Sequence, residues 1–145
     1  MPPIEESSSR RSLQEVVQHL DRYPIEAFHF IQQGLGHTVE KIHGGLTDPR
    51  ANRHVSGQDL CEGLRDFALL KWGMMARTVL RYWNINSTMD FGRIVFAMID
   101  FELMQRTEQD TIDDFRDVYD FKTAFESDYR ISLEPQVQRA SEGRQ

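Results

Sequence analysis

Apolar residues recur every three or four positions along most of this chain, the spacing of an amphipathic helix. Leu13, Val16, Val17 and Leu20 predict a short first helix that stops before Pro24. Pro24 suits the first turn of a second helix, where its missing N–H is not needed. Ile25, Phe28, Ile31, Leu35, Val39 and Ile42 then advance by threes and fours, and Gly44-Gly45 should close this helix in a left-handed cap. A loop is expected at 46–55. Leu60, Leu64, Phe67 and Ala68 share one face of a third helix, which Gly73 should break or bend. Met75, Val79 and Tyr82 carry a fourth helix to about Asn84. Residues of about 89–104 are apolar on nearly every side, which marks a central, buried fifth helix.

A sixth helix is expected from Thr107, with Ile112, Phe115 and Val118 facing inward and Asp110, Asp113, Asp114 and Asp117 facing out. Phe121, Ala124 and Phe125 suggest a last short piece docked on the same core. Local chemistry supports these starts. Ser12-Leu-Gln-Glu15, Ser56-Gly-Gln-Asp59, Ser87-Thr-Met-Asp90 and Thr107-Glu-Gln-Asp110 all fit, or nearly fit, the box in which a hydroxyl and an acid satisfy the free N–H groups of a helix start. The fold expected is all-α: a single compact bundle of five to seven helices around the helix at about 89–104. Residues 11–126 form the domain, between a disordered Pro- and Ser-rich 1–10 and a polar, disordered 127–145.

Composition narrows the classes. At 145 residues and 39% hydrophobic content, the chain suffices for one core. One cysteine leaves no intramolecular disulfide, no apolar leader opens the chain, and no run has the length of a membrane span, so a cytoplasmic protein is expected. The net charge of −6 is concentrated: residues 101–130 carry 4 basic and 9 acidic side chains, whereas 71–89 carry Lys71, Arg77 and Arg81 and no acid. Such a dipolar distribution bears on partners more than on fold.

Tyr23-Pro-Ile-Glu-Ala-Phe28, His54-Val-Ser-Gly-Gln-Asp-Leu-Cys-Glu-Gly63, Asp90-Phe-Gly-Arg-Ile-Val-Phe96 and Asp113-Asp-Phe-Arg-Asp-Val-Tyr-Asp-Phe121 occur in this order. Together they resemble a conserved hypothetical family of short planctomycete and verrucomicrobial proteins, over roughly residues 20–126. The resemblance implies a bacterial cytoplasmic protein and brings no catalytic or binding residue with it.

The remaining motifs are judged on their chemistry. Asp90-Phe91-Gly92 spells the metal-binding tripeptide of protein kinases, but no HRD loop or glycine-rich loop accompanies it, so Asp90 reads as a cap and Phe91 as core. Glu40 and His43 have the i, i+3 spacing of metal ligands, and His43, His54 and Cys61 form a weak alternative ligand set. A solvated helix face with a half-buried histidine and a buried cysteine is the commoner meaning of such residues. His37 projects nearly opposite the core. Arg50, Arg53 and His54 precede Ser56-Gly57 at a helix start, where free N–H groups and the helix dipole favour an anion; a plain cap is the alternative. No cofactor fingerprint is present, and spacing selects no nucleophile and base.

Lys71, Trp72, Arg77, Arg81, Tyr82 and Trp83 mix cations with aromatics in the manner of nucleic-acid surfaces. The helix that would follow in a helix-turn-helix carries Asp90, Asp100 and Glu102 against Arg93, which opposes phosphate contact. Asp117, near the C-terminal end of the expected sixth helix, opposes the helix dipole and so suggests a cationic partner. The favoured function is a small protein-interaction module, self-associating or binding an outside partner through the Asp110–Asp117 face and the Lys71–Arg81 surface. The alternative is a phosphate- or small-molecule-binding protein or enzyme centred on 50–57.

Overall fold

Five α-helices carry the fold in a computed structural model that describes residues 6–44 and 54–127: α1 (Glu6–Leu20), α2 (Ile25–His43), α3 (Gly57–Trp72), α4 (Ala76–Tyr82) and α5 (Thr88–Asp100). Short 3-10 turns at Gly73–Met75 and Ile112–Phe115 and a π-helical turn at Thr123–Ser127 complete it, and no strand occurs among the described residues. The fold is all-α. α1 reaches back to Glu6, into the stretch expected to be disordered. Serine is only modestly poorer than alanine in a helix, and extending an existing helix costs far less than nucleating one.

α2 and α3 form the most extensive helix pair, because small residues let the two approach closely. Gly34 lies against Leu64, and Gly63 lies against Thr38, which donates from Oγ1 to the Gly34 carbonyl at 2.7 Å. α5 packs on α1, α2, α3 and the Ile112–Phe115 turn, burying Phe91, Ile94, Val95 and Met98. It is central by contact but not buried all round: it stops at Asp100, which is exposed, rather than running to 104.

The helix ends show how these bounds are set. Ser56 caps α3, its Oγ accepting from the Asp59 N–H at 3.1 Å, and Ser87 and Asp90 form a reciprocal box on α5. At the other ends the left-handed residue is a side-chain-bearing one. Asn84 (φ 65°) and Glu102 (φ 61°) each follow a helix cap, with Ile85 N–H on the Leu80 carbonyl and Leu103 N–H on the Met98 carbonyl, both at 2.8 Å. Each of these six-to-one bonds joins two buried apolar residues, and that contact offsets the strain of the left-handed turn. Gly44, expected in that role for α2, has φ −58° and ψ 140° instead. Gly73 (φ 53°, ψ −125°) occupies a region that only glycine enters cheaply, and it reorients the chain between α3 and α4.

Two further expectations are corrected. The fourth helix buries Ala76 and Leu80, not Met75 and Tyr82, because the turn at Gly73 resets its phase relative to α3. The sixth helix does not form. Between 107 and 120 the only helical piece is the 3-10 turn Ile112–Phe115, and Ile112 is exposed. The Thr107–Asp110 box is followed at once by a second, Thr111–Asp114, with Asp110 Oδ2 on the Thr107 N–H at 2.8 Å and Asp114 Oδ2 on the Thr111 N–H at 3.0 Å. Aspartate favours such caps over helix interiors, so successive boxes produce successive turns. Thr88 pins the segment, donating to the Phe115 carbonyl at 2.6 Å and accepting from the Val118 N–H at 3.2 Å. Phe121, Ala124 and Phe125 are buried in the core, as their spacing suggests.

Candidate interaction surface

Arg50 and Arg53 lie outside the described residues. The rest of the expected anion site faces carboxylates. Gly57 packs so tightly on the Ile112–Phe115 turn that a Cβ there would come within 2.8 Å of Asp114 Cβ and 2.9 Å of Phe115 Cε1. The glycine admits a neighbouring turn, not an anion. His54 donates from Nε2 to Asp110 Oδ1 at 3.0 Å, and His43 donates from Nε2 to the His54 carbonyl at 2.8 Å. A small cleft remains between Leu35, Leu60, Val95, Phe96 and Phe115, with Asp110 and Asp114 on its wall. These acids already complement the positive end of α3.

Ser56 Oγ is engaged in its cap. Cys61 is fully buried, and burial pushes its thiol well above the usual range, so it offers neither a thiolate nor a metal ligand. His43, His54 and Cys61 do not converge, and no group of three metal-binding side chains assembles among the described residues.

The acidic segment is occupied mainly by its own backbone and neighbours. Asp110 serves Thr107 and His54, Asp114 caps Thr111, and Asp113 pairs with Arg116 at 2.9 Å. Asp117, with no helix dipole to oppose, sits at φ 48°, a turn conformation that aspartate tolerates better than most residues.

The basic surface divides into anchored and exposed parts. Arg77 donates to the Asn86 side chain at 3.1 Å and to the Ile85 carbonyl at 3.4 Å, and its guanidinium lies 5.5 Å from the Phe121 ring centre. Burial, and then the neighbouring Arg81, lower its affinity for a proton, while Glu126 and Asp120 oppose this. Arg77 therefore ties α4 to the turn that precedes α5 and to Phe121. Lys71 and Arg81 remain exposed, Lys71 resting 5.4 Å from the Phe67 ring centre. Trp72 and Trp83 are half-buried in a cluster with Phe30, at ring separations of 5.2 and 5.9 Å, so they are not free to stack on bases. His37, expected opposite the core, also lies on this side, 5.3 Å from the Phe67 ring.

Around these cations lies a feature that helical spacing alone did not reveal. Leu70, Met74, Met75 and Tyr82 are 74, 62, 57 and 87% exposed. Four of the six large hydrophobics that stand out as exposed among the described residues thus fall within one thirteen-residue corner, whereas Ile42 and Ile112 lie elsewhere. Met74 and Met75 lie in the 3-10 turn that leads into α4, and Tyr82 is the last residue of that helix. The signal in the sequence was the alternative stripe Ala76–Leu80, which is equally apolar and leaves Met75 and Tyr82 outside.

A buried carboxylate lies beside the turn that joins α4 to α5. Asp90 is 3% exposed; its Oδ1 accepts from Tyr23 Oη at 2.5 Å and Arg93 Nη1 at 2.6 Å, and its Oδ2 from the N–H groups of Asn86 and Ser87 at 2.8 and 3.1 Å. Burial raises its proton affinity, but the bonds from Tyr23, Asn86 and Arg93 outweigh this and hold it below the usual carboxylate range. Asn86, fixed by Asp90 through its N–H, receives Arg77 on its side chain, so the hub extends to α4. No protein-family model, curated protein or solved structure matches the chain. No helix among the described residues is long and apolar enough to cross a membrane.

Proposed function

We propose that this protein is a protein-interaction module whose contact surface is the corner formed by Leu70, Met74, Met75 and Tyr82. The observation that carries this reading is their joint exposure. The fold does not need them, since the helices on either side are held by Leu64, Ala68, Ala76 and Leu80, all fully buried. Removing such side chains from water contributes roughly 1.5–3 kcal/mol each, before the cost of association. Methionine adapts to irregular partners, and an exposed tyrosine is a frequent anchor of interfaces. The family resemblance implies a bacterial cytoplasmic setting.

Self-association of an acidic face with a basic one has less support, because the acids at 110–114 are engaged within the chain. An anion-binding enzyme at 50–57 has less still, given the carboxylates around Gly57.

Site-specific photo-crosslinking tests the proposal. A benzophenone side chain at Tyr82 should yield a discrete adduct in cells, while one at exposed Gln14 or Gln33 should not. Leu70→Ser with Met74→Ser should abolish the adduct without lowering the melting temperature. Equal labelling from all three positions would refute it.

A further inference from the structure

The charge around the corner is one-sided. From 71 to 89 the chain contains three cations and no acid. Arg81 lies close enough to Arg77 to disfavour the charge on the Arg77 guanidinium. Arg77 is partly balanced by Glu126 and Asp120, whereas Lys71 and Arg81 have no carboxylate within ion-pair distance among the described residues. Cations in the last turns of α3 and α4 suit the helix dipoles, which explains their sign. It does not explain why large apolar side chains stand exposed between them.

Resting on the docking surface proposed above, we infer that its partner is an acidic amphipathic protein segment, a helix with apolar side chains on one face and Asp or Glu flanking them. The apolar face covers Leu70, Met74, Met75 and Tyr82, and the flanking acids meet Lys71 and Arg81 at the rim, where opposite charge selects the partner and speeds encounter. Four other occupants fit less well. A second copy in a symmetric contact sets Lys71 and Arg81 against their own equivalents. For anionic lipid or nucleic acid, the two cations Lys71 and Arg81 fall short of the about four to eight typical of a lipid-binding cluster and of the several phosphate contacts that carry nucleic-acid affinity. Residues 128–145 carry three acids and three bases, so this segment offers no net complement.

The test is an amide NMR titration of the full-length protein with two synthetic eighteen-residue peptides. Both carry Leu and Phe at i, i+3, i+4 and i+7; one has Glu at the flanking positions and the other Lys. The acidic peptide should shift the amides of 70–82 and bind about tenfold or more tighter than its basic twin at low salt, with the gap narrowing as salt screens the charges. Lys71→Glu with Arg81→Glu should reverse the preference; Arg77 is left intact because it anchors α4. If both peptides shift 70–82 with equal affinity, the docking surface stands and the acidic partner is overturned. If neither peptide shifts the corner at millimolar concentration, both readings are overturned. Three controls would also overturn the acidic partner: corner shifts that grow with protein concentration alone, broadening by phosphatidylglycerol vesicles without peptide, or quenching in dilute protein by a nitroxide on Ala140→Cys. These would assign the surface to a second copy, to lipid or to the chain's own C-terminal segment.

Discussion

Replacing Asp90 with alanine should cost far more than the loss of a helix cap. The cap alone accounts for about 1 kcal/mol. The same change strands the Tyr23 hydroxyl, which belongs to a residue only 4% exposed, and a buried donor without an acceptor costs about 1–3 kcal/mol. The Arg93 side chain is 37% exposed, so water replaces its partner at little cost. The expected total is about 2–4 kcal/mol, a large part of the roughly 5–15 kcal/mol that holds a domain folded. With a urea m-value of about 2 kcal/mol/M, the midpoint should fall by about 1–2 M at unchanged m. The decisive measurement is the cycle with Tyr23→Phe. In that background no hydroxyl is stranded, so Asp90→Ala should cost about 1–3 kcal/mol less. Costs that add to within about 0.5 kcal/mol would show that Asp90 acts as a local cap only, and the link between the start of α2 and α5 would be refuted.

Three further outcomes follow from the same geometry. Gly57→Ala should lower stability by about 1–3 kcal/mol in thermal denaturation, because its Cβ meets Asp114 and Phe115; a neutral result would mean that the 3-10 turn does not sit on the start of α3. Asp117→Gly should change stability by no more than about 1 kcal/mol while Asp117→Val costs more, since a β-branched residue resists φ 48°; equal effects would remove the left-handed turn. Stability should also fall at both ends of the pH range. Burial, together with the bond to and charge of Asp90, raises the Tyr23 pKa, so its contribution is present below the unfolded tyrosine value near 10 and is lost above it. Cys61 and Tyr119, raised chiefly by burial, add to the alkaline loss. Asp90, held low, contributes fully above about pH 4, and that contribution is lost as the pH falls through its depressed value. Urea midpoints across pH check both limbs; Tyr23→Phe should flatten the alkaline one, and an unaltered slope would count against the pairing.

Much of the helical order is written locally. Ser56, Ser87 and Asp90 act over three residues, and the chain cannot hide such signals because each must satisfy its own nearby N–H groups. The burial of Leu60, Leu64, Phe91 and Ile94 follows from a 3.6-residue period that neighbouring turns share. The sequence also shows the cations at 71–81 and the absence of acid around them.

Tertiary structure decided what those signals become. Thr107–Asp110 is as good a box as Ser87–Asp90, yet it opens only a turn, because a second box follows and Thr88 holds the segment against α5 from 27 residues away. Asp90 reads as a cap until Tyr23, 67 residues earlier, places its hydroxyl on the same carboxylate. The phase of α4 turns on one glycine at φ 53°, and with it whether Met75 and Tyr82 lie inside the core or outside it. Capping is a contact between near neighbours and survives in the sequence. Which face of a helix meets the core, and which is left for a partner, depends on the orientation of segments that the sequence separates.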